Sequence, residues 1–278
     1  MTDIEEIYRC TIKCVNEQKW EDLPRYMSSH LIRNGQDYTP ESYAAEIKLV
    51  GGGASVELTV DALTIDQKSQ RIAATILVKA EVTSNQHVLF TEQQFIWFAD
   101  GKISTMLTLA DGDEERRQLS DPEYRYAPDL ISAQPPPSQP VAAAKLSAGE
   151  LEEKYRAYIG CINEQTMETD LHEFCHPQAI HNTKTLTRDQ YRLLIQEART
   201  AVPDIIFGLH TVIVNEETQR VASRLEFTGT PVGPMAGAKP NGRSVSFCEH
   251  ATYLFQEGKI VRVWSIVDWA SYRRQLSD

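Results

Sequence analysis

The sequence predicts an α+β protein built from two tandem domains, each with helices first and a curved antiparallel sheet afterwards. Three observations support this prediction. Phrases recur along the chain in the same order, a segment rich in Pro and Ala separates the two copies, and each copy shows helical spacing followed by runs of β-branched and aromatic residues.

The repeat is visible at both ends of each copy. Residues 14–18 read CVNEQ and residues 161–165 read CINEQ, while GKI occurs at residues 101–103 and again at 258–260. Both copies also contain the phrase RRQLSD at their ends. Because self-similarity with a domain-sized period outranks local patterns, the chain is predicted to contain two homologous domains.

The boundary between the copies lies in a segment of unusual composition. Residues 125–146 include the stretch APDLISAQPPPSQPVAAAKL, which is too poor in large apolar side chains to form a core and favours an extended spacer. The predicted organisation is therefore an N-terminal domain at residues 1–124, a linker at 125–146 and a C-terminal domain at 147–278.

Two amphipathic helices open the C-terminal copy. Apolar side chains recur at three- and four-residue spacing over residues 149–166, and Ser147 with Glu150 forms a capping pattern in front of them. A second helix is predicted over residues 188–199, with a cap at Thr187.

Four strands are predicted to follow these helices as an antiparallel meander. Their sequences are rich in Val, Ile, Phe and Thr, and turn residues separate them. They read IIFGLHTVIVN, QRVASRLEFTGT, RSVSFCEHATYLFQ and KIVRVWSIVDW.

The last of these strands is apolar on both faces, unlike a strand with one wet face. One face can pack on the helices of its own domain, and the other is predicted to pack on the sheet of the sister domain. The chain is therefore expected to be a monomer containing an intramolecular pseudo-dimer. This expectation fails if the C-terminal domain expressed alone is a soluble monomer of unchanged stability.

Composition excludes several classes of function. The chain has 278 residues, 41% hydrophobic and 24% charged, and a formal net charge of −11, which disfavours nucleic acids and anionic membranes as partners. No apolar run is long enough to span a membrane, and the N-terminus is acidic where a signal peptide is basic, so a cytoplasmic protein is expected. The five cysteines, with no C-x-x-C, are expected to be reduced.

The C-terminal copy resembles a known family. It contains G-T-x-x-G at residues 229–233, P-x-G-R at 240–243 and G-K-I-x-x-x-W-x-x-x-D at 258–268, in the order typical of SnoaL-like polyketide cyclases of the nuclear-transport-factor-2-like superfamily. It is also similar to fungal-type cyclases and isomerases of terpenoid and polyketide pathways, which carry H-N before the second helix and E-H on the third strand. The resemblance covers residues 149–278 and, more faintly, residues 4–121. It implies a cone-shaped fold around an apolar pocket.

The two copies differ at the positions that this resemblance marks. The N-terminal copy has Arg33, Gln93, Thr75 and Leu107 where the C-terminal copy has polar or aromatic pocket candidates, although it keeps Asp111 for Asp268. The C-terminal copy itself has Pro231 where bacterial cyclases often carry His. The C-terminal domain is therefore predicted to be active and the N-terminal domain to be supporting.

Cofactor-independent acid/base chemistry is the activity that the resemblance implies, acting on a bulky apolar small molecule. The predicted catalytic residues are Asp268, whose pKa would be raised beside Trp264, the imidazoles of His250 and His181, and Arg224 as a charged hydrogen-bond donor. The predicted substrate-binding residues are Trp264, Tyr191, Asn182, Glu249 and Phe247. Ring closure by an aldol step, isomerisation, lactone rearrangement and dehydration all fit such a site.

Each candidate also has a structural interpretation. Asp268 precedes a helix-like segment and is as well placed to cap a helix as to catalyse. Only one of Glu249 and His250 can face the pocket, since adjacent strand residues point to opposite sides, and Glu249 suits a structural ion pair or an interdomain contact. His181 suits an exposed loop, and Arg224 suits a surface pair with Glu226.

Other site types lack their motifs. The sequence contains no G-x-x-x-x-G-K-[ST], G-x-G-x-x-G, H-E-x-x-H or G-x-S-x-G, so neither a metal nor a nucleotide cofactor is expected. Two functions remain: a cyclase or isomerase of secondary metabolism, and a non-catalytic ligand-binding or scaffold protein of the same fold. Turnover that survives Asp268→Asn and His250→Ala would contradict the proposed acid/base roles.

Overall fold

The computed structural model describes residues 3–50, 55–83, 86–121, 123–133 and 145–277. The chain divides into two compact units, Met1–Ser132 and Ala133–Asp278. The division falls within the predicted linker, of which residues 134–144 lie outside the described residues.

The N-terminal unit has helices around a six-stranded sheet. In chain order its elements are α1 (Ile4–Asn16), a short 3-10 helix (Trp20–Arg25), β1 (Met27–Arg33), β2 (Gln36–Tyr38), α2 (Pro40–Ile47), β3 (Val56–Asp66), β4 (Arg71–Thr83), β5 (Gln86–Ala99), β6 (Lys102–Ala110) and α3 (Gly112–Ser120).

The C-terminal unit repeats this order of elements with a second helix in place of the 3-10 helix. Its elements are α4 (Ala148–Asn163), α5 (Met167–Phe174), β7 (Cys175–His181), β8 (Lys184–Thr187), α6 (Arg188–Ala201), β9 (Ile206–Asn215), β10 (Arg220–Gly229), β11 (Val245–Gln256), β12 (Lys259–Val267) and α7 (Trp269–Leu276).

Both sheets have the same topology, which confirms the predicted tandem α+β architecture. The strand orders are β2-β1-β6-β5-β4-β3 and β8-β7-β12-β11-β10-β9. The last four strands of each unit form the predicted antiparallel meander. The sequence did not predict the two short strands that precede the meander in each unit, β1 and β2 or β7 and β8. The first strand of each pair runs parallel to the last strand of its unit, β1 to β6 and β7 to β12.

Side-chain caps fix where the helices of the C-terminal unit begin. The Ser147 hydroxyl accepts a hydrogen bond from the backbone N–H of Glu150, and the Glu150 carboxylate accepts from the backbone N–H of Ser147, which completes the predicted capping box. Thr187 and Gln190 form the same reciprocal pair at the start of α6. These caps satisfy backbone N–H groups that have no partner inside the helix.

Tight turns set the register of the last hairpin in each unit. Glu257 and Gly258 have φ of 52° and 70°, and Asp100 and Gly101 have φ of 51° and 71°. Two successive residues with positive φ make the type of turn whose twist matches that of paired strands, and Gly is favoured there because it lacks a Cβ. The repeated GKI phrase begins at these glycines.

The strands nearest the centre of the C-terminal sheet are buried on both faces. Residues 247–255 of β11 are all buried. On β12, Val263 is buried on one face, and Trp264 and Ile266 are buried on the other. This is the burial that the apolar pattern of the last strand predicted.

Candidate active site

A cavity of about 640 Å³ lies inside the C-terminal unit, between one face of its sheet and its helices. Helices α4, α6 and α7, strands β7 and β9 to β12, and the segment after β10 contribute its walls. Most of the lining is apolar or aromatic, including Leu194, Ile195, Phe207, Phe227, Phe247 and Trp269. A concave apolar site of this size is typical of small-molecule binding.

The loop with the G-T-x-x-G pattern contributes Gly233 to the lining of the cavity. Backbone N–H groups of Val232 and Gly233 donate to the carbonyl of Ala201 at 2.8 and 3.1 Å, which ties the loop to the end of α6. At Gly229 a Cβ atom would lie 2.6 Å from Cγ1 of Val202, so only glycine allows this close approach. These backbone contacts hold the motif against α6, where its Gly233 lines the cavity.

Glu249 is the acidic group in the wall of the cavity. It lies on β11 opposite Leu225 of β10 and Val267 of β12, and its side chain is buried. The Ser265 hydroxyl donates a hydrogen bond to Oε1 of Glu249 at 2.5 Å. Burial raises the pKa of Glu249 to about 7 despite the lowering effect of this hydrogen bond. Both protonation states of the carboxyl group are therefore populated near neutral pH.

His181 is the imidazole that lines the cavity. It ends β7, where it pairs with Val263 of β12, and its ring centre lies 5.9 Å from that of Tyr191. Burial, together with the positive charge of Lys184, lowers the pKa of His181 to about 4. The imidazole is therefore neutral at physiological pH.

Two tyrosine hydroxyls complete the polar part of the wall. The hydroxyls of Tyr158 on α4 and Tyr191 on α6 are hydrogen-bonded to each other at 2.8 Å, and both residues line the cavity. Burial raises the pKa of both phenols well above the ordinary value. Both groups consequently keep their protons, and the hydroxyl that accepts in this pair can donate its own proton to an oxygen of a bound molecule.

The described lining contains no Lys or Arg. Its ionisable groups besides the tyrosines are His181, Glu249 and Glu197, and Glu197 is exposed on α6. An anionic ligand would lose its hydration on entering the cavity and find no positive side chain in the described lining to replace it. A neutral ligand avoids this cost, since it has no charge to desolvate.

Four of the nine predicted site residues line this cavity: His181, Tyr191, Phe247 and Glu249. The other five do not belong to its lining. They are Asp268, His250, Arg224, Trp264 and Asn182.

Asp268 is a helix cap, as its structural interpretation expected. Its Oδ1 accepts a hydrogen bond from the backbone N–H of Ser271 at 2.9 Å, at the start of α7. Asp111, its counterpart in the N-terminal unit, accepts from the N–H of Glu114 at 3.1 Å in the same way. The geometry gives no support to the predicted acid/base role of Asp268, since its carboxylate is engaged by a helix terminus.

His250 and Arg224 lie on the opposite face of the sheet from Glu249. The two residues pair directly across β10 and β11, and Nη1 of Arg224 lies 2.8 Å from Nε2 of His250. Arg224 also donates to Glu226 at 3.3 Å, which matches the predicted alternative of a structural pair. Because strand residues alternate between faces, Glu249 and not His250 is the member of the E-H pair that reaches the cavity.

Trp264 and Asn182 have structural contacts instead of cavity positions. Trp264 pairs with Thr252 on the same outer face as His250, and the guanidinium of Arg262 lies 4.9 Å from its ring centre. Asn182 has φ of 51°, and its side chain bonds the backbone of Ser265. Sequence reasoning did not identify Ser265, Tyr158 or Trp269, although the parity of β11 and β12 and the apolar stripe of α4 place them toward the interior.

The matching position of the N-terminal unit holds the same glutamate among different groups. Glu92 is half-buried, and its removal from water raises its pKa. Gln94 donates to Glu92 at 2.7 Å, and the Tyr8 hydroxyl donates to Gln94 at 2.9 Å. Arg33, which occupies the position of His181, forms an ion pair with Glu46.

Two absences in the described part of the chain bear on the type of site. No group of three or more His, Cys, Asp and Glu side chains in that part of the chain could hold a metal ion. None of its helices is long and apolar enough to cross a membrane.

Comparison with known proteins identifies relatives of the C-terminal unit. Residues 152–276 match the family model of SnoaL-like polyketide cyclases. A SnoaL-like polyketide cyclase from Agrobacterium tumefaciens is similar to this chain at 33% identity, over 46% of this chain and 98% of that protein, with a TM-score of 0.43. TsrD from Streptomyces laurentii is 23% identical over 48% of this chain and 98% of its own, with a TM-score of 0.43.

No curated protein matches the sequence. The residues matched by the family model include the three motifs at 229–233, 240–243 and 258–268. The chain therefore belongs to the SnoaL-like polyketide cyclase family, and the matched residues lie in its C-terminal unit.

Proposed function

We propose that the C-terminal unit is a cofactor-independent cyclase or isomerase of secondary metabolism that moves protons on a bulky polyketide or terpenoid. The observation that supports this most directly is Glu249, a buried carboxyl group with a pKa of about 7 in the wall of an apolar cavity. A general base is most effective when its pKa lies near the working pH, because it is then both available and strong.

The cavity favours a neutral substrate. Its volume of about 640 Å³ suits a molecule of several fused or linked rings, and its described lining supplies no cation that could hold a carboxylate or phosphate. The supporting role that the sequence predicted for the N-terminal domain remains part of this proposal.

In the proposed reaction, the ionised carboxylate of Glu249 takes a proton from a carbon next to a carbonyl group of the substrate. The resulting enolate attacks a second carbonyl of the same molecule, which forms the new carbon–carbon bond and leaves an alkoxide. The carboxylic acid of Glu249 returns its proton to that alkoxide. If the proton returns to a different carbon instead, the outcome is isomerisation.

Neutral hydrogen-bond donors would stabilise the oxygen on which negative charge develops. The hydroxyls of Tyr158 and Tyr191 and the N–H of the neutral His181 imidazole line the same cavity as Glu249. Donors fixed in an apolar site stabilise a developing oxyanion strongly, because no water has to reorganise.

The test uses anthrone, a neutral tricyclic ketone, as the probe and follows its enolisation in deuterated water. Glu249→Gln keeps the shape of the side chain and removes the base, so the rate in the full chain should fall about a hundredfold or more. Glu92→Gln makes the same change in the N-terminal unit and should leave the rate within about twofold.

Two results would contradict the catalytic proposal. One is equal enolisation rates for the unmodified chain and Glu249→Gln. The other is tight binding of anthrone with no acceleration, which would support the alternative of a non-catalytic ligand-binding protein.

A further inference from the structure

Ser265 is the hydroxyl closest to the proposed base. It lies on β12 opposite Ala251, while Glu249 lies opposite Val267, so Ser265 and Glu249 are diagonal neighbours on the same face of two paired strands. Its hydroxyl donates to Oε1 of Glu249 at 2.5 Å. A donor at this distance from a carboxyl oxygen both restricts the rotation of the carboxyl group and favours its ionised form.

The backbone of Ser265 is itself held by a side chain. The parallel pairing of β7 with β12 ends at His181 and Val263. Beyond that point the Asn182 amide continues the pairing, because its Nδ2 donates to the carbonyl of Ser265 at 3.2 Å and its Oδ1 accepts from the N–H of Ser265 at 2.8 Å. Asn182 reaches this position through its left-handed conformation, with φ of 51°.

The N-terminal unit contains the same pair of hydrogen bonds from an asparagine side chain to a strand backbone, here called the asparagine bracket, but without the contact to the glutamate. Asn34 has φ of 49°, and its amide bonds the carbonyl and N–H of Thr108 at 3.2 and 2.8 Å. The Thr108 hydroxyl accepts from Asn34 at 3.2 Å, whereas Glu92 accepts from Gln94. Both units therefore contain the asparagine bracket. The hydrogen bond from the strand hydroxyl to the glutamate is seen in the C-terminal unit, between Ser265 and Glu249.

We propose that Ser265, held in place by Asn182, is a positioning residue that fixes the Glu249 carboxyl group at the cavity wall and keeps it able to ionise there. This inference deepens the proposed function and depends on it for its catalytic consequence. It gives Asn182 a role in the site that differs from the substrate contact predicted from the sequence.

The other side chains around Glu249 carry no charge that would favour its ionised form. The titratable side chains that face Glu249 are Tyr155 from α4, Tyr191 from α6 and Tyr253 from β11. Burial raises the pKa of all three phenols, so they are neutral in the pH range where Glu249 titrates. The strand neighbour on β10 is the apolar Leu225.

The test is a pH titration of the Glu249 carboxyl carbon by carbon-13 NMR in the full-length protein without substrate, with Glu249→Gln identifying the signal. Ser265→Ala removes the donor, so the titration midpoint should rise by about one pH unit or more. Ser265→Thr restores a hydroxyl and should return the midpoint to within about half a unit.

A matched control is available in the N-terminal unit. Thr108→Ala removes a hydroxyl at the equivalent strand position, where it does not contact the glutamate, and should leave the midpoints of Glu92 and Glu249 unchanged. If Ser265→Ala proves unfolded, Ser265→Cys supplies a weaker donor of similar size and should give an intermediate rise. A midpoint that does not move in a folded Ser265→Ala or Ser265→Cys variant would overturn the proposal.

This experiment separates the two proposals, because the titration needs no turnover. A shifted midpoint together with no enolisation of anthrone would leave Ser265 as the positioning residue and remove the catalytic function. Where enolisation is measurable, Ser265→Ala should move the acidic limb of its pH profile upward by the same amount as the midpoint, since Glu249 must be ionised to act as a base.

Discussion

The two units place the same glutamate in the same register and surround it differently. Glu249 pairs with Leu225 and Val267, and Glu92 pairs with Ile76 and Ala110 at the equivalent positions. What separates the two sites is therefore the side chains around the glutamate and not the backbone that carries it.

In the C-terminal unit the glutamate accepts a hydrogen bond from a serine hydroxyl and lines an apolar cavity to which a neutral imidazole also contributes. In the N-terminal unit its neighbours are the amide of Gln94 and the guanidinium of Arg33, whose charge opposes the effect of burial on the pKa of Glu92. Arg33 also lies 5.8 Å from the ring centre of Tyr43. Under the proposed function, this difference in hydrogen-bond donor and nearby charge is what sets Glu249 apart from Glu92 as a base.

The largest effect on the activity is expected when His181 is replaced by arginine, the residue that the N-terminal unit has at this position (Arg33). His181→Arg puts a permanent cation in the cavity wall, where it would stabilise ionised Glu249 and weaken it as a base, and it removes a neutral donor. We expect enolisation of anthrone at neutral pH to fall about a hundredfold, as expected when the base itself is removed. His181→Gln keeps a neutral donor and should lose much less, so equal losses for the two variants would break the comparison.

The next largest effect is expected on how the stability of the C-terminal unit depends on pH, when the unmodified chain is compared with Glu249→Gln. Folding raises the pKa of Glu249 from 4.5 to about 7, so the folded state is most favoured below pH 4.5 and loses stability as the pH rises toward 7. Glu249→Gln removes this loss and should stabilise the C-terminal unit at pH 8 relative to pH 5, by about 3 kcal/mol before relaxation. Urea unfolding at the two pH values measures the difference.

Glu92→Gln is the reference for that measurement. Its pKa is also raised, so its effect should have the same sign. His181 acts in the opposite direction, because folding lowers its pKa from 6.5 to about 4 and stability is lost as the pH falls through that range. A Glu249→Gln variant with the same stability difference between pH 5 and pH 8 as the unmodified chain would contradict the buried state of this acid.

Rigid packing of the G-T-x-x-G loop gives a smaller effect. Gly229→Ala places a methyl group 2.6 Å from Val202, so we expect the C-terminal unit to lose about 2 kcal/mol in the free energy of unfolding. Gly160→Ala in α4 meets no atom within 4 Å and should stabilise the unit by about 1 kcal/mol, as expected for a helical glycine. Denaturant titration distinguishes the two, and equal effects would show that the loop adapts.

The smallest effect is expected where the two units are most alike. Asp268→Ala and Asp111→Ala each remove a helix cap and should each cost about 1 kcal/mol of stability. Asp268→Asn retains the cap and should leave anthrone enolisation unchanged. A folded Asp268→Asn variant without enolisation would restore Asp268 as the acid/base group and displace Glu249.

Much of the fold could be predicted because its signals are local and repeated. The duplicated phrases, the capping pairs and the alternation of apolar residues indicated two α+β units and four of the six strands in the second one. Strand β7 escaped prediction because it contains Pro177 and polar residues, and its pairing with β12 is shifted in register between Ile260 and Arg262.

The site could be predicted only in part. A shift of one residue in strand register decides which of two adjacent side chains faces the cavity. The dipeptide Glu249-His250 does not show which side chain faces inward, and the pairing of both neighbouring strands decides it. Asp268 has the residue type of both a catalytic acid and a cap. The bracket formed by Asn182 depends on a left-handed backbone conformation that no spacing in the sequence revealed.

Retention of the Asn34 bracket and of Glu92 makes the N-terminal unit a natural scaffold for engineering. Arg33, Gln94 and Thr108 are among the side chains that differ between its interior and that of its sister. Introducing Arg33→His, Gln94→Ala and Thr108→Ser would bring the histidine and serine of the C-terminal unit into the N-terminal unit that carries Glu92, as a first step toward one polypeptide with two reaction chambers that can be diversified independently.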